Sequence, residues 1–331
     1  MNNSIVSNRH DIFFLFEVQN GNPNGDPDLD NEPRREENSQ KGLVSDVCLK
    51  RKIRNFVFLN QRDENGNLTT GNNLFIQNTH YLNDVIDSHY ELAEKAVKES
   101  SKDKKETKRL TDIQTVKNLC AEFFDIRAFG AVVSTGKKMS GSPYGQIQGP
   151  IQVTFAQSFH AIEPQLITIT RKARTDAKED KQTNSENEDS SQDGGGTMGN
   201  KYIVPYGLYA AKIYVSPAFA ERTGFTNHDL EILFEALNYM FEHDRSASRG
   251  EMIVRGIYDF EHIGTQHENN AEANKREARL GCCHAHKLFE GIDVKLIEGK
   301  EFPESFKDYA VNCRWTDENL PKGVKLHKRH E

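Results

Sequence analysis

The sequence has no long apolar segment. Its longest uninterrupted run of large apolar residues, Ile12–Phe16, is five residues long in a chain of 331, whereas a membrane-spanning helix needs about 20 such residues. Residues 1–20 also place Arg9 and Asp11 beside this run and lack the apolar core of a signal peptide. We therefore expect neither a membrane span nor secretion.

Cysteine is scarce as well. The five cysteines do not form the dense framework of a small disulfide-stapled domain, so we expect a reduced, cytoplasmic protein; they are Cys48, Cys120, Cys282, Cys283 and Cys313. The run Cys282-Cys283-His284-x-His286 is similar to a set of metal ligands, but structural zinc sites usually pair ligands at two separated places. Only Cys313 and His262 are available as distant partners, and no pattern marks them. The sequence predicts no metal site.

Catalytic and cofactor-binding motifs are missing too. There is no Gly-x-Ser-x-Gly elbow and no glycine-rich dinucleotide fingerprint, and residues 194–201 miss a phosphate-binding loop by one position. The acids at 26, 28, 30 and 37 imitate a calcium loop, but Asn31 replaces its required glycine and two prolines interrupt it. We predict no catalytic residues and no cofactor.

Charge is distributed unevenly along the chain. The formal net charge is −7, and residues 176–193 account for −5 of it. This stretch contains no large apolar residue and is followed by three glycines, so we expect a flexible loop. The remaining chain is close to neutral, and the acidic total does not exclude nucleic-acid binding.

One segment, residues 47–62, contains five basic residues and no acid. Apolar residues recur at helical spacing, which predicts a helix over 45–59 that begins at Ser45 or Asp46; they are Leu49, Ile53, Phe56 and Val57. Lys50, Arg51 and Arg54 share a different arc of this helix. Such an arc is either a solvated face or a phosphate-binding surface, and the absence of interspersed acids favours the second.

Apolar periodicity predicts the element order β-α-β-β-α-β, an α+β fold of the ferredoxin-like type. The predicted strands are 10–18, 150–159, 207–215 and 251–260, and the helices are 45–59 and 227–243, the second with a capping box at Thr226 and Asp229. A further helix is predicted at 82–98. Residues 165–171 and 201–206 form the arms of a hairpin around the acidic loop. This fold commonly presents its sheet or its flanking loops to RNA.

Three turn-like segments are candidate phosphate contacts. Residues 22–27 follow the first strand with Arg34 behind them, residues 129–136 combine glycines and hydroxyls, and residues 243–250 close the second long helix with two arginines. Each also has an ordinary structural explanation, as a surface turn or as basic residues at a helix C-terminus.

Several of these stretches resemble one family in order and over roughly residues 9–297. They are NGNPNGDPD at 20–28, NEPR at 31–34, GLVSDVCLKRKIRNFV at 42–57, DIRAFGAVVSTG at 125–136, GPIQVTFAQS at 149–158, TITRKA at 168–173, MGNKYIVPYGLY at 198–209 and TGFTNHDLEILFEALNYMFEHDRSASRGEM at 223–252. The family is the backbone subunit of type I-C CRISPR Cascade complexes, the Csd-type Cas-seven group of the RAMP superfamily.

The resemblance implies a hand-shaped, non-enzymatic protein within residues 1–297. Its parts are an RRM-like palm, fingers inserted at about 60–124, and a thumb hairpin at about 163–206 whose loop spans 172–200. Residues 298–331 form a C-terminal tail. The implied partners are CRISPR guide RNA, a target DNA strand, further copies in a helical filament, and the Cas-five, Cas-eight and small subunits.

The resemblance also implies which residues bind guide RNA. They are Asn24, Gly25, Arg34, Lys50, Arg51, Arg54, Ser134, Thr135, Gly136, Arg171, Lys201, Arg245 and Arg249. One alternative is a metal-dependent RAMP ribonuclease that uses Asp26 and Asp28. A third interpretation is a scaffold that binds protein alone.

Overall fold

The computed structural model describes residues 3–79, 81–98, 103–171, 197–265 and 270–330. The helices are α1 (Asp46–Asn60), α2 (Leu82–Lys98), α3 (Lys104–Glu122), α4 (Phe124–Phe129), α5 (Pro217–Thr223), α6 (Asn227–His243), α7 (Ala271–Leu280) and α8 (Ala285–Phe289). The strands are β1 (His10–Gly21), β2 (Gly25–Asp26), β3 (Glu32–Pro33), β4 (Lys41–Val44), β5 (Gly130–Val132), β6 (Gln146–Gln148), β7 (Ile151–Val153), β8 (Ala156–Ala161), β9 (Gln165–Arg171), β10 (Thr197–Val215), β11 (Glu251–His262), β12 (Ile292–Leu296), β13 (Tyr309–Cys313) and β14 (Val324–His330).

A large antiparallel sheet forms the centre of this mixed α/β structure. Its strand order is β14-β11-β1-β10-β8-β4, and β7 and β9 pair with other parts of β10. Strand β1 lies between β10 and β11, with Phe14 opposite both Ala211 and Ile257. The predicted strands at 10–18, 207–215 and 251–260 are confirmed.

Helices α1 and α6 cover one face of the sheet. The apolar residues predicted to share one face of α1, from Leu49 to Val57, are buried in this layer, as are those of α6. Both predicted helix starts are confirmed: Ser45 accepts a hydrogen bond from the backbone of Cys48, and Thr226 and Asp229 form a capping box.

The opposite face of the sheet is also covered. Phe13 and Leu15 of β1 pack there with Leu288 and Phe289 of α8 and with Tyr309 of β13. Because β1 is buried on both faces, its central run Ile12–Phe16 is continuously apolar rather than alternating. Residues 298–331, the predicted tail, contribute to this cover through β13 and to the sheet edge through β14.

Two insertions project from this centre. Helices α2 and α3 pack together around Ile86 and Leu119 within the predicted finger region, and the predicted helix at 82–98 is confirmed. Residues 165–171 of β9 pair with residues 197–203 of β10, so the predicted hairpin is present, but its second arm lies N-terminal to the predicted 201–206 because Val204 and Tyr206 already pair with β1. The predicted flexible acidic loop, 176–193, lies outside the described residues.

A buried ionic network holds the edge strand β14 to the sheet. Asp259 of β11 lies 2.8 Å from Nδ1 of His10 and 3.0 Å from Nε of Arg329, and its side chain is fully buried. Burial lowers the pKa of His10, but the neighbouring Asp259 raises it, and the net direction is above the ordinary value. The same partners hold the pKa of Asp259 low despite its burial.

This network makes stability depend on pH. Protonated His10 is favoured in the folded state, so its contribution is complete below about pH 6.5, the unfolded pKa of histidine, and is lost as pH rises through the raised folded pKa. We expect the free energy of unfolding, measured in urea, to fall more steeply above pH 6.5 for the unsubstituted chain than for His10→Asn. Parallel pH profiles for the two proteins would contradict this assignment.

Candidate nucleic-acid interface

A groove of about 810 Å³ lies where four separate segments of the chain meet. They are the loop that follows β1, the first half of α1, the turn that follows α6, and the end of β10 that pairs with β9. Most of the residues that line the groove lie in loops and in α1 rather than in the strands of the large sheet. Six predicted contact residues line it: Asn24, Gly25, Arg34, Arg51, Lys201 and Arg249.

The loop after β1 forms one wall and is tied to the start of α1. Oδ1 of Asn24 accepts hydrogen bonds from the backbone N–H and the hydroxyl of Ser45, each at 2.9 Å. A side chain at Gly25 would place its Cβ 2.9 Å from the carbonyl oxygen of Asn31. Asn22 closes the loop by donating from Nδ2 to that carbonyl at 2.7 Å. Residues 22–27, which the sequence predicts as a turn, therefore form a wall of the groove that hydrogen bonds hold in place.

Arg34 presents its guanidinium from the far end of this loop. Its Nη1 donates to Asp26 at 3.1 Å. Within the described part of the chain, Nε of Arg34 and Oδ1 of Asn22 are buried without a hydrogen-bond partner. Buried polar atoms are normally satisfied, so these two mark a wall with unused hydrogen-bonding capacity.

The basic arc of α1 does not act as one surface. Arg51 lines the groove and donates to the carbonyl of Ile76 and to Asn78 at 3.3 and 2.8 Å. Lys50 instead pairs with Asp46 at 3.0 Å. Arg54 is buried, with Nε 2.8 Å from Asp125. The structure places only one of these three predicted contacts in the groove, because Lys50 and Arg54 lie against Phe129 of α4 instead.

The turn after α6 supplies a cation and its partner. Asp244 ends this helix, pairs with the buried Lys52, and accepts from Nε of Arg249 at 2.8 Å. The carbonyl of Ser248 accepts from the backbone of Asn22 at 2.6 Å, which joins this turn to the loop after β1. Arg245, also a predicted contact, pairs with Glu242 and does not line the groove.

The remaining predicted contacts are dispersed. Lys201 lines the groove beside Tyr202 at the hairpin base. The backbone of Arg171 pairs with Thr197, and its side chain lies outside the described residues. Ser134, Thr135 and Gly136 lie beside α2 instead: Thr135 donates to Asn83 at 3.0 Å, and a Cβ on Gly136 would meet Ile86.

Sequence reasoning missed several groove residues. They are Asn22, Lys52, Asn55, Tyr202, Asp244 and Ser248. Asp244 and Ser248 lie in the turn already chosen for its arginines, and Asn22 belongs to the turn signal at 22–27. Helical spacing sets Lys52 apart from Lys50, Arg51 and Arg54, but it does not show what Lys52 contacts.

Positive charge dominates the groove. Its described lining contains five cationic side chains, Arg34, Arg51, Lys52, Lys201 and Arg249, and two carboxylates, Asp30 and Asp244. Burial raises the pKa of the Cys48 thiol, so this wall residue is neutral at physiological pH. Arginine, lysine and amide groups in one cleft suit a phosphodiester backbone.

The loop after β1 does not present a metal site. One oxygen of Asp26 accepts from Arg34 and the other from the backbone of Asp28. No group of three or more His, Cys, Asp or Glu side chains in the described ranges is placed to hold a metal ion. This arrangement does not favour the ribonuclease alternative.

The Cys282–His286 cluster likewise has other contacts. His262, one suggested distant ligand, lies 2.9 Å from Asp11 through Nε2 and accepts from the backbone of Cys282 through Nδ1. Both of its ring nitrogens are therefore engaged. The rings of His284 and His286 stack on each other, with their centroids 5.7 Å apart.

No helix among the described residues has the length and apolar character to cross a membrane.

Comparisons with known proteins place these features in a family context. A family model described as CRISPR-associated protein Cas7 matches residues 8–314. A CRISPR-associated protein Cas7 of Haloferax volcanii is 45% identical over 47 residues, which are 14% of this chain and 14% of that protein. The chain therefore matches only a small part of this curated relative's length.

Two solved structures also align with the chain. A CRISPR RNA-guided surveillance complex in a pre-nicking state gives a TM-score of 0.44 at 13% identity over 76% of this chain and 78% of that one. A second CRISPR RNA-guided surveillance complex gives 0.40 at 14% identity over 76% and 68%.

Proposed function

Since the chain belongs to the CRISPR-associated Cas7 family, we propose that it is a backbone subunit of a CRISPR RNA-guided surveillance complex. In this role it binds guide RNA through the phosphate backbone and leaves the bases available to pair with target DNA. It acts by binding and positioning, without catalysing a reaction.

The observation that carries this proposal is the groove that collects cations from four separate segments. Phosphate contacts provide affinity that does not depend on base sequence. A guide-binding subunit needs this property because guide sequences vary along one complex. Asn24 supports this role by fixing the loop after β1 against the start of α1.

The finer assignment is a type I-C, Csd-type subunit with an RRM-like palm. The long motifs around residues 20–57 and 223–252 support the subtype. The palm is supported by the neighbouring strands β11, β1, β10 and β8, with α1 and α6 on one face. The pair α2–α3 then corresponds to the fingers, and the hairpin β9–β10 to the thumb over the RNA.

The proposed partners are guide RNA, the target DNA strand, further copies of this chain in a filament, and the Cas-five, Cas-eight and small subunits. The sites proposed to contact RNA are the six groove residues already named, together with Tyr202. Lys50, Arg54, Ser134, Thr135, Gly136 and Arg245 do not line the groove, and Arg171 stays a predicted contact whose side chain lies outside the described residues.

Co-expression tests the proposed function. The full chain is produced with a CRISPR array and its partner subunits, purified through a tag on this chain, and the bound nucleic acid is extracted and sequenced. We expect array-derived RNA of defined length, protected from added ribonuclease. A parallel preparation without the array provides the control. Recovery of the assembled complex free of RNA, or with random cellular RNA only, would reject the proposal.

A further inference from the structure

Asp244 carries a negative charge into a groove that otherwise attracts phosphate. It caps the C-terminus of α6 and begins the turn that follows, where the helix dipole already disfavours a carboxylate. Its side chain is only 13% exposed, so the charge also loses hydration. Two cations compensate it, and their arrangement indicates what the carboxylate does.

The two cations are held differently. The side chain of Lys52 is 5% exposed and lies over the ring of Phe241, so it is fixed inside the wall. That of Arg249 is 37% exposed and lines the groove. Lys52 therefore neutralises Asp244 from the inside, while Arg249 faces the solvent-filled space.

The point of attachment on Arg249 is its Nε, which donates to Asp244 at 2.8 Å. Within the described ranges, no hydrogen bond engages the two terminal nitrogens of this guanidinium. A guanidinium held in this way keeps its terminal N–H groups available for a phosphate, and the loss of side-chain freedom has already occurred before binding.

We infer that Asp244 is a positioning residue for nucleic-acid binding: it orients Arg249 toward the phosphate backbone, and Lys52 compensates its charge. This inference rests on the proposed function. It makes a counterintuitive prediction, because removal of an acid from a cationic groove normally strengthens RNA binding, whereas here it weakens it.

The test compares two neutral replacements of Asp244. Alanine removes both the charge and the acceptor, whereas asparagine removes the charge and keeps an oxygen that can accept from Arg249. The full-length variants are titrated with a fluorescein-labelled, mixed-sequence 30-nucleotide RNA by anisotropy in 0.1 M NaCl. Asp244→Ala is expected to weaken binding about fivefold, roughly the loss of one phosphate contact, and Asp244→Asn to remain within about twofold of the unsubstituted chain.

A second background separates positioning from a general structural effect. In Arg249→Gln, which itself is expected to bind about fivefold more weakly, the further change Asp244→Ala should cause no additional loss. Circular dichroism and thermal unfolding check that each variant is folded. If Asp244→Ala unfolds because Lys52 is left unpaired, the same cycle is run in Lys52→Met, which removes the buried ammonium group.

The outcomes distinguish the two proposals. Tighter binding by both neutral variants would make Asp244 a simple counter-ion and overturn the inference, while leaving the proposed function intact. Equal weakening by Asp244→Ala with and without Arg249 would also overturn it, since Asp244 would then act elsewhere. If the unsubstituted chain does not bind the RNA, the proposed function fails, and the inference fails with it.

Discussion

Replacement of Arg34, Arg51, Lys201 and Arg249 by glutamine together is expected to weaken RNA binding several-hundredfold at 0.1 M salt. Each phosphate contact to a single strand contributes about 0.7 to the slope of log affinity against log salt concentration, or about a factor of five at this ionic strength. The slope should therefore fall by about 3. Affinity for unrelated RNA sequences should fall by the same factor, because the lost contacts are to the backbone.

A matched variant separates the groove from net charge. Arg222, Arg279, Lys295 and Lys325 are exposed and do not line the groove. Their replacement by glutamine removes the same four charges, and we expect the salt slope to change by less than about 1. Equal losses of affinity in the two quadruple variants would show that long-range charge, rather than this groove, attracts RNA. Anisotropy titrations between 0.05 and 0.3 M NaCl measure both slopes.

Local signals in the sequence were sufficient for much of the fold. Helices α1, α2 and α6 and the hairpin of β9 with β10 follow from apolar spacing, capping residues and strand alternation over short stretches. The cover on the second sheet face was not predictable in this way. It depends on contacts between Phe13 and residues such as Phe289, which are far apart in the sequence.

This cover changes where RNA can bind. Many sheets of this class expose aromatic residues on the open face for base stacking. Here Phe13, Tyr206 and Tyr258 are buried under the C-terminal region. The proposed binding therefore uses the loops and the helix α1 that line the groove. The sequence allowed either the sheet or its flanking loops, and only the long-range packing distinguishes them.

The groove itself was partly predictable. Turn residues such as Asn24 and Gly25 were identified because turns carry strong local signals. The basic residues of α1 were harder, since helical periodicity assigns them to an arc but does not show what covers it. Lys52 and Arg54, both buried, have acidic partners that lie 192 and 71 positions away in the sequence. Only the folded structure reveals these pairs.

Arg54→Met is expected to lower the free energy of unfolding by about 3–5 kcal/mol, because it leaves Asp125 as an uncompensated buried charge. Asp125 is 1% exposed, and it also accepts backbone hydrogen bonds from Phe75 and Ile76 at 2.8 and 3.1 Å. Loss of Arg54 therefore also loosens the segment that leads into α2. Urea unfolding followed by circular dichroism measures the change.

Arg51→Gln, on the same helix, is expected to affect RNA binding rather than stability. Arg51 lines the groove and is only half-buried, so we expect a stability change within about 0.5 kcal/mol but a loss of about 0.7 in the salt slope for RNA. Arg54→Met, where it is folded, should keep the salt slope of the unsubstituted chain.

The double variant Arg54→Met/Asp125→Asn removes the unpaired charge of Asp125 and should recover at least half of the free energy of unfolding that Arg54→Met loses. A normal urea midpoint with a reduced salt slope for Arg54→Met would instead make Arg54 a phosphate ligand, since the slope follows the number of phosphates that the protein neutralises.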